Sequence, residues 1–189
     1  MSPLTWFGIL VAIIVVSLRF GLGELVIVRG FHMAPNYLDG DLLILGSPRT
    51  PKRGDVVTIG ENETAVFRRV VGLPGDTIGS VNGRLTRDGE PIDIGECPPF
   101  SRHRDDDRSR ERSCLFETSD SGDQYGTLGD ELNPGRPWSF RLTSVTLEPG
   151  QIFVLPDDRK AAVDKTTTGV IEIKRVEGII SHRIWRPEN

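Results

Sequence analysis

Three histidines, two cysteines and a scatter of hydroxyls and lysines are the side chains of this 189-residue chain that could act as nucleophile, base or ligand. The stretch RGFHMAPNYLDGD (29–41) has the form of a loop that presents a nucleophile, with a turn, a Met-x-Pro and a Gly-Asp landing, and His32 stands where the nucleophile would be. An imidazole can abstract a proton or attack an acyl group itself. No Ser or Thr lies within two residues of His32, so it has no hydroxyl beside it in sequence to activate. Only His103 and His182 could join it as histidine ligands, neither at a helical or strand-adjacent spacing, and Cys97 and Cys114 form no Cys-x-x-Cys. No metal or cofactor is therefore expected. Ser47 and Thr58 are candidates for a displaced nucleophile and Lys160 and Lys165 for a displaced base. The plain reading makes His32 a groove residue and the two lysines solvated.

The elements that would position these groups read as strands. DLLILG (41–46), DVVTIG (55–60), TAVFRRVVG (64–72), WSFRLTSVTL (138–147), QIFVLPDD (151–158) and GVIEIKRVEGIISHRIW (169–185) are β-branched runs punctuated by Gly and Pro. Asn82-Gly83 and Asp88-Gly89 are hairpin signals inside 77–94. The pattern predicts a mainly β, non-parallel fold. Residues 98–137 break it with a polar insertion carrying RHRDDDRSRER (102–112), read as a solvated, self-paired loop or a docking segment. A net charge of −4 argues against a nucleic-acid partner. In an oxidising compartment Cys97 and Cys114 could close a disulfide around part of this insertion; in a reducing one they would be thiols.

The N-terminus is different in kind. Residues 4–18, LTWFGILVAIIVVSL, form an apolar run with no polar face, followed by Arg19 and a further apolar stretch to Val28. A bilayer core of about 30 Å needs roughly 20 helical residues, which the segment from Ser2 to about Gly23 supplies if Arg19 snorkels. A cleaved signal would carry a basic leading region, absent here, and a buried helix would show a polar side. A transmembrane helix within residues 1–28 is the favoured reading, with Arg19 and Glu24 marking the interface and residues 29–189 as the β domain.

Four segments in order resemble the boxes of bacterial type I signal peptidases. They are HMAPNYLDGD (32–41), RGDVV (53–57), FRRVVGLPGD (67–76) and PDDRKAAVDKTTTG (156–169). The resemblance implies coiled antiparallel β-sheets, a partial barrel of the signal-peptidase type, behind one N-terminal transmembrane helix. It also implies a single-pass protein of the bacterial cytoplasmic membrane, its β domain on the outer side. In that family a serine attacks the peptide carbonyl, a neutral lysine takes its proton, and a hydroxyl with a backbone N–H holds the oxyanion.

Carried over residue by residue, the family nucleophile falls on His32, the general base on Arg68, the oxyanion hydroxyl on Gly30 and the lysine-orienting serine on Ala162. All four polar groups are missing, and a guanidinium has no lone pair with which to take a proton. The shaping residues remain: Met33, Pro35, the Gly-Asp and Pro-Gly-Asp turns, and Arg69 with Asp164, which the resemblance makes a core ion pair. The leading expectation is a membrane-anchored, non-catalytic relative that binds an extended, signal-peptide-like segment or an exported or membrane partner. Arg29, Phe31, Met33 and Pro35 would shape its groove. The alternatives are an active signal peptidase with a divergent site and an assembly factor acting through 98–137.

Overall fold

The computed structural model describes Trp6 and residues 23–47, 49–60, 66–81, 84–101, 111–129, 142–161 and 167–187. In chain order the strands are β1 (Glu24–Ile27), β2 (Leu42–Gly46), β3 (Val56–Ile59), β4 (Val66–Gly72), β5 (Thr77–Val81), β6 (Arg84–Arg87) and β7 (Glu90–Pro91). They continue as β8 (Asp93–Ser101), β9 (Glu111–Thr118), β10 (Gln124–Leu128), β11 (Val145–Thr146), β12 (Gln151–Leu155), β13 (Gly169–Glu172) and β14 (Val176–Trp185). A seven-stranded sheet has the order β1-β2-β14-β3-β4-β12-β13, a three-stranded sheet the order β10-β9-β8 and a four-stranded sheet the order β11-β5-β6-β7. Paired strands are antiparallel throughout these sheets.

The large sheet is covered on both faces near its centre, and the alternation of side chains along a strand divides its apolar runs between them. Val70 packs with Val57, Ile152, Val154 and Ile171 in one core. The next residue, Val71, joins Phe153, Leu155, Ile78, Leu85 and Leu147 in a second core, toward the four-stranded sheet. A third cluster of Ala34, Leu128, Cys97 and Cys114 sits under the 31–38 loop. Its cysteines face each other across β8 and β9 and are joined as a disulfide. The Asp88-Gly89 signal is a turn between β6 and β7 with both residues at positive φ, as a two-residue hairpin requires.

Three expectations change. The segment 98–137, read as a polar break in the strands, holds the end of β8 and all of β9 and β10, while the run 102–110, expected to be a solvated loop, lies outside the described residues. Glu117 hid this: a charge in the middle of SCLFET reads as surface, yet Glu117 is buried against Arg159 with Nη2–Oε distances of 2.7 and 2.8 Å. Second, the anchor drawn to residue 28 overruns β1, because a short apolar run has no period that separates strand from helix. The rest of that segment lies outside the described residues, Trp6 excepted, and no described helix is long and apolar enough to cross a membrane.

Third, Arg69 pairs with Asp157. Its Nε and Nη2 donate to the two carboxylate oxygens at 2.7 and 2.6 Å. The β4–β12 register sets Arg69 opposite Leu155, so Asp157 lies two residues past that rung. Asp164 lies outside the described residues. Asp157 is fully buried and also accepts from Asn36 Nδ2 at 2.7 Å. Its neighbours continue the pattern: Asp158 takes Arg112 Nη1 and Nη2 at 2.5 and 2.8 Å, and Arg159 takes Glu117.

Two expectations about stability follow from these ion pairs. Removing one partner of a buried pair strands the other, at a cost of about 3–5 kcal/mol. Asp157→Ala is expected to lose that much in urea unfolding, and Arg69→Met combined with Asp157→Leu to recover a large part of it. Asp41 and Asp76 govern the acid limb. Burial pushes each carboxyl up, but Arg186 with the Leu38 N–H at Asp41, and Arg53 with the Leu73 N–H at Asp76, outweigh it and leave both below 3.8. A depressed native pKa gives stability that is present above the unfolded value and lost as pH falls through the native one. The unfolding midpoint should therefore drop below about pH 4, and drop less steeply in Asp41→Asn and Asp76→Asn.

Candidate functional site

The 28–41 loop is closed at its stem by backbone hydrogen bonds, Val28 N to Asp41 O and Gly40 N to Val28 O, both 2.9 Å. Asp41, with no exposure, ties this stem to the far end of the chain through Arg186 Nε and Nη2, at 3.0 and 2.8 Å. Within the loop Met33 and Ala34 point into the core while His32 is exposed. The Ala34–Pro35 peptide is cis. Pro35 packs over Gly126, where an added Cβ would come within 3.0 Å of both Pro35 Cγ and Cys114 Sγ. Asn36 bridges the same place, donating to Gly126 O at 2.6 Å and accepting from Gly126 N at 3.2 Å. The height of His32 is set from behind, since its carbonyl accepts the Asp158 N–H at 2.9 Å.

Gly30, at the oxyanion-hydroxyl position, has φ +78°, a conformation that side-chain-bearing residues rarely adopt. Its N–H donates to Asp39 Oδ1 at 2.7 Å.

His32 opens onto a cavity of about 870 Å³ whose walls include Arg29, Met33, Thr58, Phe67 and Arg68. Along one side runs β1, which forms the outer edge of the large sheet. Leu25 and Ile27 of β1 are exposed there. Thus the sequence-predicted positions His32, Arg68, Arg29 and Met33 share one cavity, with Gly30 in the same loop. Phe31 is half-buried and outside that wall, and Pro35 lines a different cavity. Ala162 lies outside the described residues, as do Lys165 and His103.

Arg68 is the most informative member. It is buried, and its Nε donates to Thr168 Oγ1 at 3.2 Å, Nη2 to Thr167 Oγ1 at 3.0 Å and Nη1 to the Phe67 carbonyl at 2.8 Å. Every one of these contacts uses the guanidinium as a donor, and a guanidinium accepts no proton. The Thr58 hydroxyl, the displaced-nucleophile candidate on this wall, donates to Gly178 O at 3.4 Å, so among the described residues its hydrogen bond goes to a backbone carbonyl and not to a base. Ser47 is exposed and is not part of the wall. The carboxylates of the cavity, Glu24 and Glu177, are exposed at its rim. Among the described residues no group of three or more His, Cys, Asp or Glu converges as a metal site.

Sequence reasoning missed Thr167 and Thr168, Asp157 and Asn36. The run TTTG after Lys165 is the one visible sign of the two threonines, and nothing in it points to an arginine 100 residues away in sequence.

The sequence profile described as "Signal peptidase, peptidase S26" matches residues 3–185. Signal peptidase I of Bacillus caldolyticus is 26% identical over 189 residues, covering 95% of this chain and 89% of that protein. Signal peptidase I of Streptococcus pneumoniae TIGR4 is 25% identical over 170 residues, with 84% and 80% covered. The solved signal peptidase I of Enterococcus faecalis V583 overlaps at TM-score 0.36 and 19% identity, covering 71% of this chain and all of the other. A likeness that low leaves the assignment to the profile and to the sequence relatives. On a match that runs almost from end to end, the chain belongs to the signal peptidase, peptidase S26, family.

Proposed function

We propose that this chain is a signal-peptidase-like protein that binds extended peptides without cleaving them. In this reading an N-terminal segment anchors it in the bacterial cytoplasmic membrane and the β domain stands on the outer side. One observation carries the proposal: at the position where the family needs a neutral lysine, Arg68 is held by two threonine hydroxyls and a carbonyl, all as acceptors. His32 replaces the attacking oxygen, and Gly30 offers a backbone in place of the hydroxyl. A lone imidazole could attack an acyl group, but the amide's leaving amine must also be protonated, and no described group is set to do so.

What supports binding is the groove. An edge strand with free backbone donors and acceptors lies beside a cavity, and an extended segment can add to such an edge while its alternate side chains enter the cavity. In the described part of 98–137, Arg112 and Glu117 are engaged with Asp158 and Arg159; the charged run 102–110, on which the insertion reading rests, lies outside the described residues.

The test uses the full chain in detergent with a fluorescent signal-peptide fragment and an intact preprotein. Saturable binding of the fragment is expected, and its absence from a folded sample would remove the groove reading. His32→Ser with Arg68→Lys is expected to produce cleavage at the signal junction. Its rate should stay about 10²–10³-fold below that of a complete site, the usual loss when one oxyanion donor is missing. Adding Gly30→Ser will not simply restore that factor. At φ +78° a side chain costs about 1–2 kcal/mol, to be seen as a lower urea midpoint.

A further inference from the structure

The 31–38 loop rests on a small core of its own. Ala34, Leu128, Cys97 and Cys114 are its buried members, with Leu38, Phe100 and Phe116 packed against them. Neither of the two cores of the large sheet contains a cysteine. Two of the four side chains buried beneath the loop are therefore the halves of one disulfide. Loop and disulfide meet at Gly126 of β10. A Cβ placed there would lie 3.0 Å from Pro35 Cγ, 3.0 Å from Cys114 Sγ and 3.5 Å from Cys97 Sγ. The Pro35 ring and both sulfurs share the space over one glycine. The Asn36 side chain ties the loop to the same glycine, donating to its carbonyl and accepting from its N–H.

Strand β8 is held less firmly than its neighbour. It is an outer strand of the three-stranded sheet, so within that sheet it has a backbone partner on one side only. Its register with β9 slips between Asp93 and Gly95 and again between Cys97 and Phe100. Gly95, Glu96 and Cys97 alone run in step between the two breaks, and the disulfide ties the last of them to Cys114. In contrast, β9 is fixed independently, by Arg112 on Asp158 and Glu117 on Arg159. An interrupted edge strand opens locally at lower cost than the sheet it borders. Without the bond, three rungs are left to hold the cysteine end of β8 beneath Pro35.

We propose that the Cys97–Cys114 disulfide is a redox latch on the His32 loop. Oxidised, it holds Pro35 and Asn36 on Gly126 and keeps the groove formed. Reduced, the cysteine end of β8 loosens and the loop is released. The partner is a dithiol. One of its thiolates attacks Cys97 Sγ on the edge strand, the bond to Cys114 breaks, and Cys114 leaves as a thiolate. The second sulfur of the dithiol then frees Cys97 from the mixed disulfide. Two electrons pass from the dithiol to the pair, and its two protons end on Cys97 and Cys114. The reverse reaction, with the oxidised form of such a partner, sets the latch in an oxidising compartment. The consequence for binding rests on the peptide-groove reading; the release of the loop does not.

The test takes the full chain in detergent, oxidised or reduced with dithiothreitol, and counts free thiols by alkylation and mass. Hydrogen exchange then follows the Tyr37 amide, bonded to Met33 O at 2.8 Å, and the Gly126 amide, bonded to Asn36 Oδ1. Reduction is expected to speed both about tenfold or more while β3, β4 and β12 keep their protection, and reoxidation to reverse the change. Cys97→Ala with Cys114→Ala should reproduce the reduced state with no reductant present. A fluorescent signal-peptide fragment should bind the reduced chain about tenfold more weakly. A fragment that binds neither form counts against the groove reading alone, and hydrogen exchange still decides the latch. Unchanged exchange at Tyr37 and Gly126 once both thiols are free overturns it, as does a fragment that binds both forms equally. Protection lost throughout the large sheet also overturns it, since the bond would then be a staple of the whole fold. So does a bond that dithiothreitol leaves intact in the folded chain.

Discussion

The structure depends on one buried carboxylate. Asp157 sits with no exposure just past the end of β12 and receives three donors, two from Arg69 and one from Asn36. A charge in that position is tolerable only when its lone pairs are met, so the three groups must arrive together. Arg69 brings the large sheet and Asn36 brings the His32 loop. The two residues that follow bring the three-stranded sheet: Asp158 through Arg112 and Arg159 through Glu117. Asp158 also holds the His32 carbonyl. Three consecutive side chains therefore fix loop, large sheet and β9 relative to one another.

Under the proposed reading, this arrangement lets the scaffold outlast the reaction. Arg68 and Arg69 are adjacent on β4, and strand alternation sends them to opposite faces. Arg69 goes to the Asp157 cluster and is needed for the fold. Arg68 goes to the groove, where its replacement for a lysine disturbs nothing that the cluster holds. The same division runs through the loop. Met33, Ala34 and Pro35 are packed against the core, Gly126 and the disulfide-bearing sheet, while His32 is exposed and Gly30 turns the backbone. Positions that carry packing are intact, and the positions where the family does its chemistry face a cavity that other side chains can share.

Much of this was legible in the sequence. The apolar runs at 42–46, 56–59, 66–72 and 151–155 announced strands through their β-branched content and the Gly and Pro that bound them, and Asp88-Gly89 announced its turn. Three things were not. Glu117 broke the apolar pattern of β9, and only its pairing with Arg159 shows it to be interior. Leu25 to Ile27 continued an apolar stretch in which edge strand and anchor look alike. Asp157 and Asp164 are both acids in the same box, and the choice between them for Arg69 rests on the β4–β12 register. The Cys97–Cys114 bond was open for a similar reason, since it follows from the pairing of β8 with β9. The threonines that hold Arg68 could not have been found from local pattern, because they lie 99 and 100 residues away in sequence.

The central claim is that the groove is kept and its reaction is gone. The most direct measurement incubates the purified full chain, in detergent, with an intact preprotein and follows intact and processed masses by mass spectrometry, with His32→Ala and Arg68→Ala run alongside. The account predicts no processed product above the trace that both variants also show. Processing at the signal junction by the parent chain that disappears in His32→Ala would contradict it, and would make His32 the residue that acts.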